Sequence, residues 1–218
     1  MDSREKGYWK DLSPQEKKQY FMDYYLGRTL VVLAVTALLI YTAVSILRPK
    51  PSYALRIAVF DASLSEDTRQ SLIHDIQKAL HTAEAIEIDD SYNNNNDKDL
   101  LRIVSLSTSE KLDAVIADRE VLVWLAGYGY FRDLKETFDA EFRSKNTDRL
   151  ITARGLKLGE NGMLEENAEG NGDWYTAGYD LSGTVLAEKL DDLKDPVISI
   201  IAESHAGMKI QAVLEELE

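Results

Sequence analysis

Cysteine is missing from all 218 residues, which excludes disulfide frameworks, thiolate metal sites, cysteine nucleophiles and lipid attachment through Cys. Histidine occurs only three times. His74 and His81 stand seven residues apart, a spacing unlike that of a chelating pair, and His205 is remote, so neither a metal site nor a cofactor is expected. The chain lacks a Ser-centred elbow, a phosphate loop and a dinucleotide-binding glycine pattern. The acidic pairs Glu165-Glu166 and Asp191-Asp192 lie in polar stretches. Catalysis is therefore not expected, and there is no internal repeat.

Basic residues are also scarce where most of the chain lies. The whole sequence has 25 Lys and Arg against 38 Asp and Glu, net −13. Residues 1–50 hold eight basic and five acidic residues (+3), and residues 51–218 hold seventeen and thirty-three (−16). An acidic region of that size repels phosphate backbones, so nucleic acid is not an expected partner. What is plentiful is apolar and aromatic material: 44% apolar residues, with eleven Tyr, five Phe and three Trp. That suffices for one or two packed domains and is unlike a disordered chain.

From Thr29 to Leu47 nineteen residues carry no charge, enough at about 1.5 Å per residue to cross a hydrocarbon layer of roughly 30 Å. A buried core helix would alternate polar and apolar faces, which this run does not. A cleaved signal peptide would have a shorter apolar region and a shorter leader, so an uncleaved anchor is predicted. Lys10, Lys17, Lys18 and Arg28 precede the run, against Arg48, Lys50 and Arg56 after it. That balance places the N-terminus in the cytoplasm and the rest outside. Ser13-Pro14-Gln15-Glu16 predicts a short helix leading into the span. Tyr20, Phe21, Tyr24 and Tyr25 suit the headgroup level, and Arg48-Pro49-Lys50-Pro51 makes a stiff exit. The expected organisation is a leader over 1–28, a transmembrane helix over 29–47, a linker over 48–54 and a globular domain over 55–218.

In the globular part, Leu55–Phe60, Ala85–Asp89 and Asp113–Ala117 read as strands. They alternate with helices through Leu72-Ile73-Ile76, through Leu100-Leu101-Val104 and through Leu122-Leu125. This is a βαβαβ pattern and predicts an α/β fold with a mostly parallel sheet. Ser63 is the expected cap of the first of these helices. The stretch 89–99, with Asp89, Asp90, Asn93–Asn96, Asp97 and Asp99, is rich in oxygen ligands. It lacks the Gly and Glu of a calcium loop and reads as a solvated loop. Leu150–Leu158 and Trp174–Leu181 read as a hairpin with a long loop, and Pro196–Glu203 as a final strand before a helix capped by Ser204.

The segments DAVIADREVLVWLAGYGYFRDL and PVISIIAESHAGMKIQAVLEEL resemble the extracellular solute-binding proteins of ABC importers, which have the type II periplasmic-binding-protein fold. The resemblance covers roughly residues 55–135 and 174–218. It implies a non-catalytic extracytoplasmic binding domain, the late strand being the family's return strand, with a membrane transporter, another envelope protein, or a small solute or peptide as partner. Only 168 residues follow the first fifty, so the family's second lobe is expected to be reduced or missing. The alternative is an interaction or scaffolding subunit of a membrane complex.

Ligands of open parallel sheets settle beyond the carboxyl ends of the strands. That rule nominates Asp61 and Ser63 after the first strand and Asp118 and Arg119 after the third, with Tyr128, Trp174 and Tyr175 as stacking walls. Trp124, Tyr130 and Tyr179 are further aromatic candidates for such a groove. The competing expectation is that Asp61, Ser63 and Asp118 serve as caps of the helices that follow, and that about half of the aromatics complete the core.

Overall fold

The computed structural model describes residues 13–24, 26–47, 52–159 and 167–217. The chain divides into two units, Met1–Pro51 and Ser52–Glu218.

The first unit contains helices α1 (Pro14–Tyr24) and α2 (Leu26–Leu47). The Ser13 amide donates to Glu16 Oε2 at 2.8 Å and the Glu16 amide to Ser13 Oγ at 3.4 Å, the reciprocal pair that starts α1. Within α2 the 19-residue window Leu26–Val44 has mean hydropathy 1.9 and none of it is buried against protein. It is long and apolar enough to cross a membrane. Two of its hydroxyls donate back to the helix, Thr36 to the Val32 carbonyl and Thr42 to that of Leu38, both at 2.8 Å, as hydroxyls within a helix can. Tyr25, the side chains of Tyr20, Phe21 and Tyr24, and the exit Arg48–Pro51 lie outside the described residues.

The second unit has one six-stranded sheet. Its strands are β1 (Tyr53–Phe60), β2 (Ala85–Tyr92), β3 (Ala114–Asp118), β4 (Leu150–Arg154), β5 (Trp174–Asp180) and β6 (Pro196–Ile200), in spatial order β2-β1-β3-β6-β5-β4. Burial follows position. β3 and β6, central strands, are almost wholly buried, whereas edge strands β2 and β4 alternate buried and exposed residues, as strands covered on both faces and strands at a rim must.

Helices α3 (Glu66–Ala79) and α9 (Gly207–Glu216), with the short α6 (Leu134–Thr137), α7 (Ala140–Lys145) and α8 (Val185–Glu188), cover one face. There Leu72, Ile76, Phe142, Leu186, Ile210 and Leu214 pack against Ile57, Val59 and Ile198. Helices α4 (Asp97–Thr108) and α5 (Arg119–Gly127) cover the other, through Ile103, Leu122, Leu125 and Ala126 against Ala58, Val115 and Val197.

The expectation of a mostly parallel sheet is corrected: β1 pairs parallel with β2 and β3, but β3–β6, β6–β5 and β5–β4 are antiparallel. The first three strands are joined by full-length helices, which carry the chain back to the start of a parallel neighbour. The later links do not cross back. β4 and β5 form the expected hairpin, Arg154 facing Trp174, and β5 reaches β6 past only the four-residue α8, so each strand reverses beside its predecessor.

Two cap assignments shift as well. Ser65, not Ser63, caps α3, accepting the Thr68 amide at 3.1 Å. The final helix begins at Gly207, its cap position is Ala206, and Ser204 Oγ accepts the Ala206 amide at 3.1 Å from outside it. The oxygen-rich stretch is also differently placed: Asp89 and Asp90 belong to β2 and are spent on Arg102 and Arg69.

Candidate functional site

The mixed topology divides the sequence-predicted site between the two ends of the sheet. Asp61, Ser63, Asp118 and Arg119 lie at the carboxyl end of β1–β3. β5 finishes at that end, since Asp180 pairs with Val197 and Asp118 with Pro196. Trp174 and Tyr175 open β5 and therefore stand at the other end, about 20 Å away at roughly 3.3 Å per strand residue. Tyr128 closes α5 at that other end too.

At the carboxyl end the nominated groups bind other loops of the protein. Asp61, in the left-handed region at φ 55°, donates its amide to the Tyr92 carbonyl (3.0 Å) and accepts the Asn94 amide on Oδ1 (3.1 Å). The Ser63 amide donates to Asp192 Oδ2 at 2.8 Å. Asp118 occupies the cap position of α5 without a capping bond. Its Oδ1 accepts the amides of Lys194 and Asp195 at 2.8 and 2.9 Å. Arg119 pairs with Asp180 and Asp195, both at 2.7 Å. Burial raises the Asp180 pKa, yet hydrogen bonds from Ser182 and the charges of Arg119 and Arg149 outweigh it and hold the carboxyl below its usual value. These contacts stitch the entry to β6 and the exit of β5 onto the end of β3.

The aromatic candidates are divided between the amino end and the core. Trp174 is 65% exposed, with the Arg154 guanidinium 5.1 Å from its ring centre. Tyr175 donates its hydroxyl to the Ala126 carbonyl at 3.1 Å, and burial, with Asp133 nearby, raises its pKa. Tyr179 is fully buried core, hydrogen-bonded to Asn146. Tyr128 meets Trp124 edge-on (centroids 5.2 Å) and stacks on Tyr130 (5.7 Å, 11° between planes). Burial, then the neighbouring Tyr128, raises the Tyr130 pKa.

Tyr130 is the wall of a depression of about 330 Å³ between the end of α4 and the turn that leaves α5, lined also by Val104, Glu110, Gly129, Ala202 and Glu203. A second depression of about 220 Å³ adjoins it across Glu110 and Glu203, bounded by Tyr53, Arg56, Asp113, Ser204, His205 and Lys209. Together they make a cleft along the amino end of β1 and β3. Gly129 (φ 75°) supplies the turn that separates Tyr128 from Tyr130, and Glu110 sits at φ 54° where α4 ends, a conformation that costs a non-glycine residue energy.

The second depression holds Asp113, Ser204 and His205, residue types of a hydrolytic triad. Their bonding differs from one: Ser204 Oγ donates directly to Asp113 Oδ1 at 2.7 Å, and Asp113 Oδ2 accepts the Arg56 amide at 2.9 Å. The serine and the aspartate thus secure the start of α9 to β1. Among the described residues no group of three or more His, Asp or Glu side chains is placed to hold a metal ion.

Sequence reasoning nominated Tyr130 among the groove aromatics but, following the rule for parallel sheets, placed the groove at the other end. The signal was present in the Tyr128-Gly129-Tyr130 turn, whose glycine sits between two aromatics. Comparison with protein families, with curated proteins and with solved structures finds no match to this chain.

Proposed function

We propose that this chain is a single-pass membrane protein, N-terminus in the cytoplasm, whose α/β domain lies outside and works by binding a ligand without catalysis. The observation that carries the reading is the Tyr130-walled cleft at the amino end of the sheet: concave, of ligand size, and set on rigid strand and helix ends. The apolar, unburied α2 supports the anchor. The return of β6, antiparallel beside β3, supports a solute-binding-like lobe, and a transporter or another envelope protein is then its natural neighbour.

Two measurements on the full chain test this. Protease added to intact spheroplasts digests the domain and spares the leader; a protected domain reverses the orientation. Thermal unfolding in maltoside micelles is then followed with amino acids, sugars, short peptides and amines. A ligand at 100 times its Kd adds about 2.7 kcal/mol, and Ala202→Tyr, which fills the cleft, abolishes that gain. No stabilisation by any class refutes ligand binding.

A second reading, an interaction subunit, is favoured by the outer face of α4, where Leu101 is 69% exposed and Val104 also reaches solvent. A single Cys placed at Leu101 in this cysteine-free chain cross-links to one defined membrane partner if that reading holds.

A further inference from the structure

We propose that the Tyr130 half of the cleft is built for a small organic cation, an alkylammonium group seated beside the Tyr130 ring and balanced by Glu110 and Glu203. The inference rests on the binding role proposed above and names the chemical class of its ligand.

Three observations carry it. The depression of about 330 Å³ matches a small ligand and is far too roomy for a bare ion. Its wall combines Val104, Ser107, Thr108, Tyr130, Glu110 and Glu203, and among the described residues no Lys, Arg or His lines it, whereas Arg56, His205 and Lys209 line the adjoining depression. Cationic groups around the cleft already have partners: Arg132 donates to the Ala202 carbonyl at 2.8 and 3.1 Å, Arg56 to the Glu110 carbonyl at 3.3 Å and Lys209 to the Ala54 carbonyl at 3.0 Å.

Chemistry narrows the class. An anion would face two carboxylates. Calcium or magnesium would gain nothing from the apolar and aromatic part of the wall. An alkylammonium group uses every part: its charge faces the carboxylates, its methyl or methylene groups meet Val104, and the ring quadrupole of Tyr130 attracts it. Tyr128, stacked on Tyr130, holds that ring in place. The net −16 of residues 51–218 draws cations toward the domain.

The test uses the full chain in maltoside micelles, free of choline lipids, with equilibrium dialysis of choline and of 3,3-dimethylbutan-1-ol, its neutral isostere. Choline is expected to bind saturably and the alcohol at least about tenfold more weakly. The double variant Glu110→Gln/Glu203→Gln should lose about tenfold in choline affinity, equivalent to 1.4 kcal/mol, and Tyr130→Leu should lose affinity as well. Glu141→Gln, remote on α7, leaves affinity unchanged. Thermal unfolding without ligand confirms that each variant is folded. Raising salt from 50 to 500 mM should weaken choline binding and leave the alcohol unaffected.

Equal binding of choline and the alcohol, or undiminished choline binding in the double variant, overturns the cation proposal. So does the absence of choline binding. If another solute class still stabilises the protein and loses its effect in Ala202→Tyr, the binding role stands while the cation proposal falls.

Discussion

Asp118 provides the sharpest test of how the carboxyl end of the sheet works. Its Oδ1 accepts the amides of Lys194 and Asp195 at 2.8 and 2.9 Å, and no helix-capping bond competes for it. Hydrogen bonds to a charged group contribute roughly 1.5–3 kcal/mol each when buried. The Lys194 bond is exposed and the Asp195 bond part-buried, which lowers the pair to about 2–3 kcal/mol in total. Asp118→Ala removes both acceptors and should cost that amount, a fall in Tm of roughly 4–12 °C for a domain of this size. Asp118→Asn keeps a carbonyl acceptor and should cost about 1 kcal/mol, since neutral bonds contribute less. Urea titration of the full chain in maltoside, followed by circular dichroism and Trp fluorescence, reads the midpoint, with the slope unchanged. The reasoning is refuted if Asp118→Ala leaves the midpoint in place, or if Asn is as harmful as Ala. Ligand affinity lost at undiminished stability would restore Asp118 to a binding site.

Two further outcomes follow from the packing and the charges. At Gly178 in β5 an added Cβ would lie 2.6 Å from Val197 Cγ1 and 3.0 Å from Leu122 Cδ2, both buried; Gly178→Ala should cost about 1–3 kcal/mol by overpacking, with partial rescue by Val197→Ala, and a neutral result in urea titration contradicts the packing. Asp180 has a folded pKa below its unfolded value, so its contribution is whole above about pH 4 and drains away as pH falls through the lowered value. Asp180→Asn should therefore flatten the loss of stability as pH falls below about 4, and an unchanged acid slope refutes this.

Much of the fold was legible because periodicity reports burial. The run LRIAVF at β1, DAVIA at β3 and PVISI at β6 are apolar on both faces, as strands inside a two-sided sheet must be, and the α3 face of Leu72, Ile76 and Ala79 is buried as its spacing predicts. Strand direction was not legible. Pro196–Ile200 reads the same whether it runs with β3 or against it, and only the length of its link to β5 bears on the choice. The capping residue also escaped, because Ser63 and Ser65 both precede helical residues. Ser65 wins because Thr68 stands three residues on with its amide free to donate.

Strand direction also explains where the cleft lies. In a sheet that stays parallel, loops on either side of the switch diverge at the carboxyl end and leave a crevice there. Here β6 runs antiparallel between β3 and β5, so its entry and the exit of β5 arrive at that same end. They bring Lys194, Asp195, Asp180 and Ser182, and the nominated Asp118 and Arg119 are spent holding those segments. At the opposite end three other segments meet. α4 ends at Thr108 and turns at Glu110, α5 ends at Gly127 and turns at Gly129, and β6 continues from Ile200 toward Glu203. Those three segments are spaced around one point, and Tyr130, Glu110 and Glu203 line the space between them. The antiparallel β6 thus uses up the carboxyl-end groups in structural contacts and leaves the amino end as the concave face available to a ligand.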